Sequence, residues 1–249
     1  LLKSVNFERF SELEQDAIFI AKFEKVLKRF KTYIEDAQKP NKPNIAYFCM
    51  EYGIHDSLKI FSGGLGILAG DYVKEASDNN INMVAVGLLY KFGYFYQHLT
   101  ISGEQQSQSI PQDLGDLPLF PVKDKDNNHL SVKVALPGRF VHALVWLVNV
   151  GRIKLFLLDT DNDLNQEADR SITHNLYGGD THNRLKQEMI LGVGGMRVLK
   201  ALSIEMDVYH LNEGHAALLG IERLHQLIKK NNYTFEEALE IVRASSLFT

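Results

Sequence analysis

The sequence predicts an α/β fold, a Rossmann-like, mostly parallel sheet flanked by helices and carrying a β-rich antiparallel insertion. Three observations predict it. "IAYFCM" (45–50) and "MVAVGLLY" (83–90) are short continuous apolar runs, the mark of strands buried on both faces. Between them lies an apolar stretch of helical period, so the three form a βαβ unit. Farther on, "LSVKVAL", "RFVHALVWLVNV" and "RIKLFLLD" follow one another with only "PG" and "G" between them, a spacing that suits tight antiparallel turns.

The elements follow in order. Residues 7–38 alternate charged and apolar residues in helical rhythm and stop at "KPNKPN" (39–44), where Pro40 and Pro43 disfavour helix. This sets an N-terminal helical segment, 1–38, apart from a body over 45–249. After the first strand, "IFSGGLGILAGD" (60–71) packs four glycines ahead of a helix. Leu65, Leu68, Ala69, Tyr72, Val73 and Ala76 recur on one face of that helix, and "DNN" at 78–80 ends it. Residues 91–128 read as loop. "THNRLKQEMILGVGGMRVLKAL" (181–202) reads as one long helix with Leu185, Met189, Val193 and Met196 on one face. Gly192, Gly194 and Gly195 cost such a helix roughly 1 kcal/mol each against Ala, which predicts close packing against a neighbour. "DVYHLN" is a strand running into "EGHAA" and another helix. Thr234 and Glu237 form a capping box for the last helix, and "SSLFT" starts a final strand.

The composition, 45% hydrophobic and 23% charged over 249 residues, is that of a globular protein with a sizeable core. A net charge of −4 gives no global attraction to nucleic acid or an anionic membrane, and neither partner is expected. No apolar stretch approaches the roughly 20 residues that span a bilayer, and "LLKSVNFERF" lacks the order of a signal peptide. The single cysteine, Cys49, excludes an internal disulfide framework and suits a reducing cytoplasm; its apolar surroundings predict a buried, inert thiol. The absence of an initiator Met and the stop on a strand suggest a piece of a longer polypeptide.

Glycines at a helix start are where proteins hold phosphate, so the loop at 60–71 is the first candidate site. Gly64-Leu65-Gly66-Ile67-Leu68-Ala69 fits the dinucleotide fingerprint G-x-G-x-x-A. That fingerprint, however, follows its strand directly, and here twelve residues (51–62) intervene. It also needs an acidic residue about 20 positions on, where "GLLYKFG" carries none. No Lys-Ser/Thr follows the glycines, so a P-loop fails as well. What survives is the physics of a helix N-terminus, with unpaired N–H groups and a partial positive charge beside residues lacking a Cβ. The same glycines also suit a sharp turn and close helix–sheet packing, and periodicity leaves both readings open.

Five blocks carry a family resemblance: "IAYFCMEYGIHDSLKIFSGGLGILAGDYVKEASD", "VGLLYKFGYFYQ", "LYGGDTHNRLKQEMILGVGGMRVLKAL", "VYHLNEGHAALLGIERL" and "EEALEIVRASSLFT". In this order they resemble the N-terminal lobe of bacterial and archaeal α-glucan (glycogen/maltodextrin) phosphorylases, over roughly 45–249. The resemblance implies a glycosyltransferase-B arrangement of two lobes. It implies cleavage of α-1,4-glucan by orthophosphate to glucose 1-phosphate with retained configuration. It also implies pyridoxal phosphate, held by a lysine of a C-terminal lobe outside this chain and used through its own phosphate.

By the same resemblance, Gly63, Gly64, Leu65 and Gly66 are the catalytic loop whose N–H groups meet the substrate phosphate and glucosyl unit, with Gly64 also approaching the cofactor. Fixed backbone dipoles there stabilise shifting charge without reorganising. Glu51 is placed at the cleft rim, with a carboxylate bonded to loop backbone as the alternative. Asn212, Glu213 and His215, at a strand's C-terminal end, are placed beside the sugar. Glucan, orthophosphate and the C-terminal lobe are the implied partners, with a homodimer left open. The family continues into a "THTP"-like segment beyond "VRASSLFT", so this chain alone is expected to be inactive. Residues 1–38 match no regulatory region, and no allosteric regulation is expected.

Other patterns are weaker. His210, His215 and Glu213 do not form a metal pattern, since i,i+5 spacing splits the rings between helical faces and no HExxH or CxxC is present. His55, His98, His129, His142, His174, His182 and His225 read as surface or packing residues. Arg184 and Lys186 invite a phosphate reading, but Arg184 and Glu188 at i,i+4 make an ordinary solvated pair. The aromatics of "YKFGYFYQ" (90–97) suit either sugar stacking or half-buried packing. Two other functions fit less well. A sugar-nucleotide-dependent glucan synthase carries a lysine just before "GGLG", where this chain has Ser62. A non-catalytic glucan-binding module would lack the second lobe.

Overall fold

The computed structural model describes residues 5–36 and 42–249, in two compact units, Leu1–Gln38 and Lys39–Thr249. The first unit holds two helices, α1 (Phe7–Gln15) and α2 (Ala17–Glu35), where the sequence suggests one run. Asp16 is the reason: its carboxylate accepts from the amides of Ile18 and Phe19, capping α2 and ending α1. Pro40 lies outside the described residues.

The second unit is built on an eight-stranded sheet. Its strands are β1 (Ile45–Phe48), β2 (Met83–Leu88), β5 (Phe120–Pro121), β6 (Ser131–Leu136), β7 (Arg139–Val150), β8 (Ile153–Asp159), β9 (Val208–Leu211) and β10 (Ser246–Phe248). β3 (Tyr96–Leu99) and β4 (Gln105–Gln108) pair apart as a hairpin. The sheet order is β10-β9-β1-β2-β8-β7-β5, with β6 also on β7. Pairings from β10 to β8 are parallel, and those of β7 with β8, β6 and β5 are antiparallel. The expected mostly parallel layer and the expected meander are both present, as one continuous sheet joined at β8.

Helices flank this sheet: α3 (Gly64–Asp78), the short α4 (Glu167–Arg170), α5 (Thr181–Met189), α6 (Gly195–Ala201), α7 (Leu218–Asn231) and α8 (Phe235–Ala244). Thr234 and Glu237 form the expected capping box on α8. Two helical faces differ from the periodic reading. α3 buries Gly66, Ala69, Gly70, Val73, Ala76 and Ser77, while Leu68 is 63% exposed. Small residues face inward because the helix lies backbone-to-backbone on the segment after β1: a Cβ on Gly70 would stand 2.2 Å from the Gly53 carbonyl oxygen. Between α5 and α6 a π-turn over Ile190–Gly194 inserts an extra residue and turns the buried face. Gln187 is fully buried in consequence, and Leu185 is exposed. The three glycines there pack as expected, Gly192 against the backbone of Leu218 and Leu219, Gly194 against Leu158, and Gly195 against Phe48 and Val86.

The run 91–128 holds more than loop, including the β3–β4 hairpin and β5. Tyr90 is buried with its hydroxyl donating to the Met50 carbonyl, whereas Tyr94, Phe95 and Tyr96 are exposed. Cys49 is fully buried, and burial pushes its thiol up to about 12, which leaves it inert. No helix among the described residues is long and apolar enough to cross a membrane.

Candidate functional site

β1 lies between β2 and β9, so the chain leaves it on one side and returns on the other. Ligands of open α/β sheets bind outside the carboxyl ends of strands at such a reversal. The predicted residues gather there: Glu51 follows β1, Asn212 to His215 follow β9, and the glycine loop opens α3.

The residues that separate strand from glycines, fourteen (49–62) because β1 ends at Phe48, form a closed excursion. The Tyr52 amide donates to the Ile60 carbonyl at 3.1 Å, and the Gly53 amide to the Gly66 carbonyl at 2.6 Å. Glu51 is 2% exposed beneath this junction. Its Oε2 accepts from the Ser62 amide at 2.8 Å, and its Oε1 from the Tyr177 hydroxyl at 2.5 Å. Glu51 thus anchors the glycine loop from behind, the alternative role expected for it, and does not open onto the cleft.

The four glycines divide into two pairs. A Cβ on Gly66 would lie 2.4 Å from the Phe61 Cβ and 2.8 Å from the Glu51 Oε2, so Gly66 and Gly70 are required by packing. A Cβ placed on Gly63 or Gly64 would meet nothing within 4 Å. Gly63 caps α3 without a side-chain bond, and the amides of Gly64, Leu65 and Gly66 have no hydrogen-bond partner among the described residues. They are the orphan donors of a 15-residue helix.

Beside them a cleft of about 520 Å³ is lined by Leu65, Tyr177, Arg184, Glu188, Glu213, Gly214 and His215. Its size suits a small ligand. Glu213 takes φ 61° and ψ 171°, a region that side chains rarely occupy, and is held there by its amide donating to the Thr249 carbonyl at 2.8 Å. His215 is 4% exposed, and its Nε2 accepts from the Met50 amide at 3.0 Å. Accepting an N–H leaves the ring proton on Nδ1. Burial, followed by the charge of Arg184, pulls its pKa down to about 4, so the ring is neutral near pH 7. Asn212 is buried with its amide donating to the Tyr47 hydroxyl and holds the loop after β9 without lining the cleft.

Tyr177, Arg184 and Glu188 also line the cleft; sequence reasoning does not find Tyr177, and it reads Arg184 and Glu188 as an ordinary solvated pair. Arg184 does pair with Glu188, at 2.8 Å and i,i+4, but that pair borders the cleft and the guanidinium lies 4.8 Å over the Tyr177 ring. Tyr177 has φ 54°, and the adjoining Gly178-Gly179 in "LYGGD" is the one local signal of an unusual turn. No group of three or more His, Cys, Asp or Glu suited to a metal occurs among the described residues.

Comparisons with known proteins bear on the family of the chain. A family model described as a protein of unknown function (DUF3417) matches residues 1–58. The maltodextrin phosphorylase of Thermococcus litoralis is 42% identical over 256 residues, covering 100% of this chain and 31% of the relative. The glycogen phosphorylase of Mycobacterium tuberculosis is 39% identical, again over 100% of this chain and 31% of its own length. That of Aquifex aeolicus is 36% identical over 94% of this chain and 34% of its own length. The chain therefore spans about a third of the length of the curated relatives it matches. The resemblance read from five blocks extends across the whole sequence, and by that measure the chain is α-glucan-phosphorylase-like from end to end.

Proposed function

We propose that this chain supplies one wall of the catalytic cleft of an α-1,4-glucan phosphorylase of glycosyltransferase-B architecture. The other wall comes from a C-terminal lobe of the same polypeptide. The observation that carries the reading is the open backbone at Gly63 and Gly64, with the first amides of α3 unpartnered beside a polar cleft. When orthophosphate displaces the glycosidic oxygen, charge moves among phosphate oxygens, and preformed N–H dipoles stabilise it without rearrangement. Glu213 and neutral His215 face the sugar side, where Nδ1–H donates to a hydroxyl and the Glu213 carboxylate accepts. Glu51 and Asn212 act from behind, holding the loops that carry these donors.

The open backbone at Gly64 also fits a phosphate-bearing cofactor, since no side chain stands in the way of its approach. Pyridoxal phosphate, when bound, supplies a phosphate that gives and takes a proton. The lysine that holds it belongs to the C-terminal lobe. On its own the chain forms no glucose 1-phosphate from maltodextrin.

The test is an amide-resolved NMR titration of the chain with orthophosphate. Saturable shifts centred on Gly63–Gly66 are expected. Shifts spread over surface lysines, with none at these glycines, would defeat the reading.

A further inference from the structure

From the geometry we infer that Tyr177 is a positioning residue, a latch that sets the glycine loop through Glu51. This rests on reading the loop as the phosphate-facing wall. Glu51 is a two-ended bridge: one carboxylate oxygen takes the Ser62 amide, immediately before the glycines, and the other takes the Tyr177 hydroxyl. Remove the hydroxyl, and one end of a buried carboxylate loses its partner. The carboxylate is then free to turn away from Ser62.

The segment that carries Tyr177 is built to hold it there. On one side it is zipped to the residues after Tyr90: the Lys91 amide donates to the Thr173 carbonyl, Phe92 to His174 and, in return, Leu176 to Gly93. On the other side α5 reaches over, with the Gln187 side chain donating to the Ile172 and Asn175 carbonyls and Asn183 to the Gly178 carbonyl. Asp161 secures the same stretch from the end of β8, 2.7 Å from Lys91 and 3.5 Å from His174. Between these fixed points Tyr177 sits at φ 54°, an outlier for a bulky residue, with Arg184 over its ring. Strain at a residue that is gripped on both sides is the mark of a selected geometry.

Y177F tests this, because it keeps the ring under Arg184 and removes only the hydroxyl. Hydrogen exchange at the Ser62 amide is expected to quicken about tenfold, the worth of one hydrogen bond to a buried charge. The affinity of the Gly63–Gly66 amides for orthophosphate should fall about fivefold, as the competent loop becomes a minority state. Exchange in α7 and α8 should not change. E51Q offers one acceptor and one donor, so it keeps both contacts with the Tyr177 oxygen now accepting; it should hold Ser62 as the wild type does, and E51A should not. Unchanged Ser62 exchange in Y177F overturns the latch, as does an E51Q that loosens Ser62 as much as E51A. If the wild type shows no phosphate shift at the glycines, the phosphate reading fails, and Ser62 exchange still decides the latch.

Discussion

Gly63 and Gly64 stand just ahead of Gly66 and Gly70 in one short stretch, yet the two pairs are glycine for opposite reasons. The later pair is hemmed in, with a Cβ on Gly70 meeting the Gly53 carbonyl and one on Gly66 meeting Phe61. The earlier pair faces open space. Glycine spacing alone merges these cases, and only the neighbours separate the residues the fold needs from those a ligand needs.

The sharpest break of this comparison is G70A. Helix propensity favours Ala by about 1 kcal/mol, but forcing the helix off the Gly53 backbone costs more, and a net loss of about 2–3 kcal/mol is expected in urea unfolding. A smaller loss than G64A would refute the division. Next comes the behaviour of His215 with pH. Its folded pKa, about 4, lies below the ordinary 6.5, so the unfolded chain binds the proton between these values. Its contribution to stability is therefore complete above pH 6.5 and is lost as the pH falls toward 4. Asp159 runs the other way, because burial raises its carboxyl to about 6. Comparing wild type with H215Q cancels Asp159, and the stability difference should shrink by about 2 kcal/mol between pH 7 and pH 5. A constant difference would show that His215 is not held neutral. The smallest effect on the fold belongs to G64A. Its stability should stay within about 0.5 kcal/mol of wild type, since the site is helical and unobstructed. Orthophosphate titration should nonetheless weaken at the neighbouring amides, because the methyl group occupies the approach. Wild-type phosphate binding in G64A would place the ligand elsewhere.

The strands were legible because burial on both faces writes a continuous apolar run, and tight turns write "PG" and "G". The capping box was legible because it is local. The inward face of α3 was not: Leu68 and Tyr72 keep the period of a buried stripe, but the close approach at Gly53 selects the small residues instead. The α5–α6 face was lost in the π-turn, which no spacing announces. At the site, the glycines, Glu213 and His215 were named through their blocks, and the fold brings them to the same end of the sheet. Tyr177 was missed, and Arg184 was set aside as a solvated pair, because their contacts depend on partners 126 and seven residues away in the chain, the first across the fold and the second through a turn.

The excursion from Tyr52 to Ile60 has a further consequence. Its two ends are tied to each other and to α3, while His55, Asp56 and Ser57 at its tip are exposed. Lengthening such a tip costs only the slowly growing entropy of closing a larger loop. Added length at the tip is therefore expected to cost little stability, which makes it a place to graft a reporter while the glycines a few residues away stay where they are.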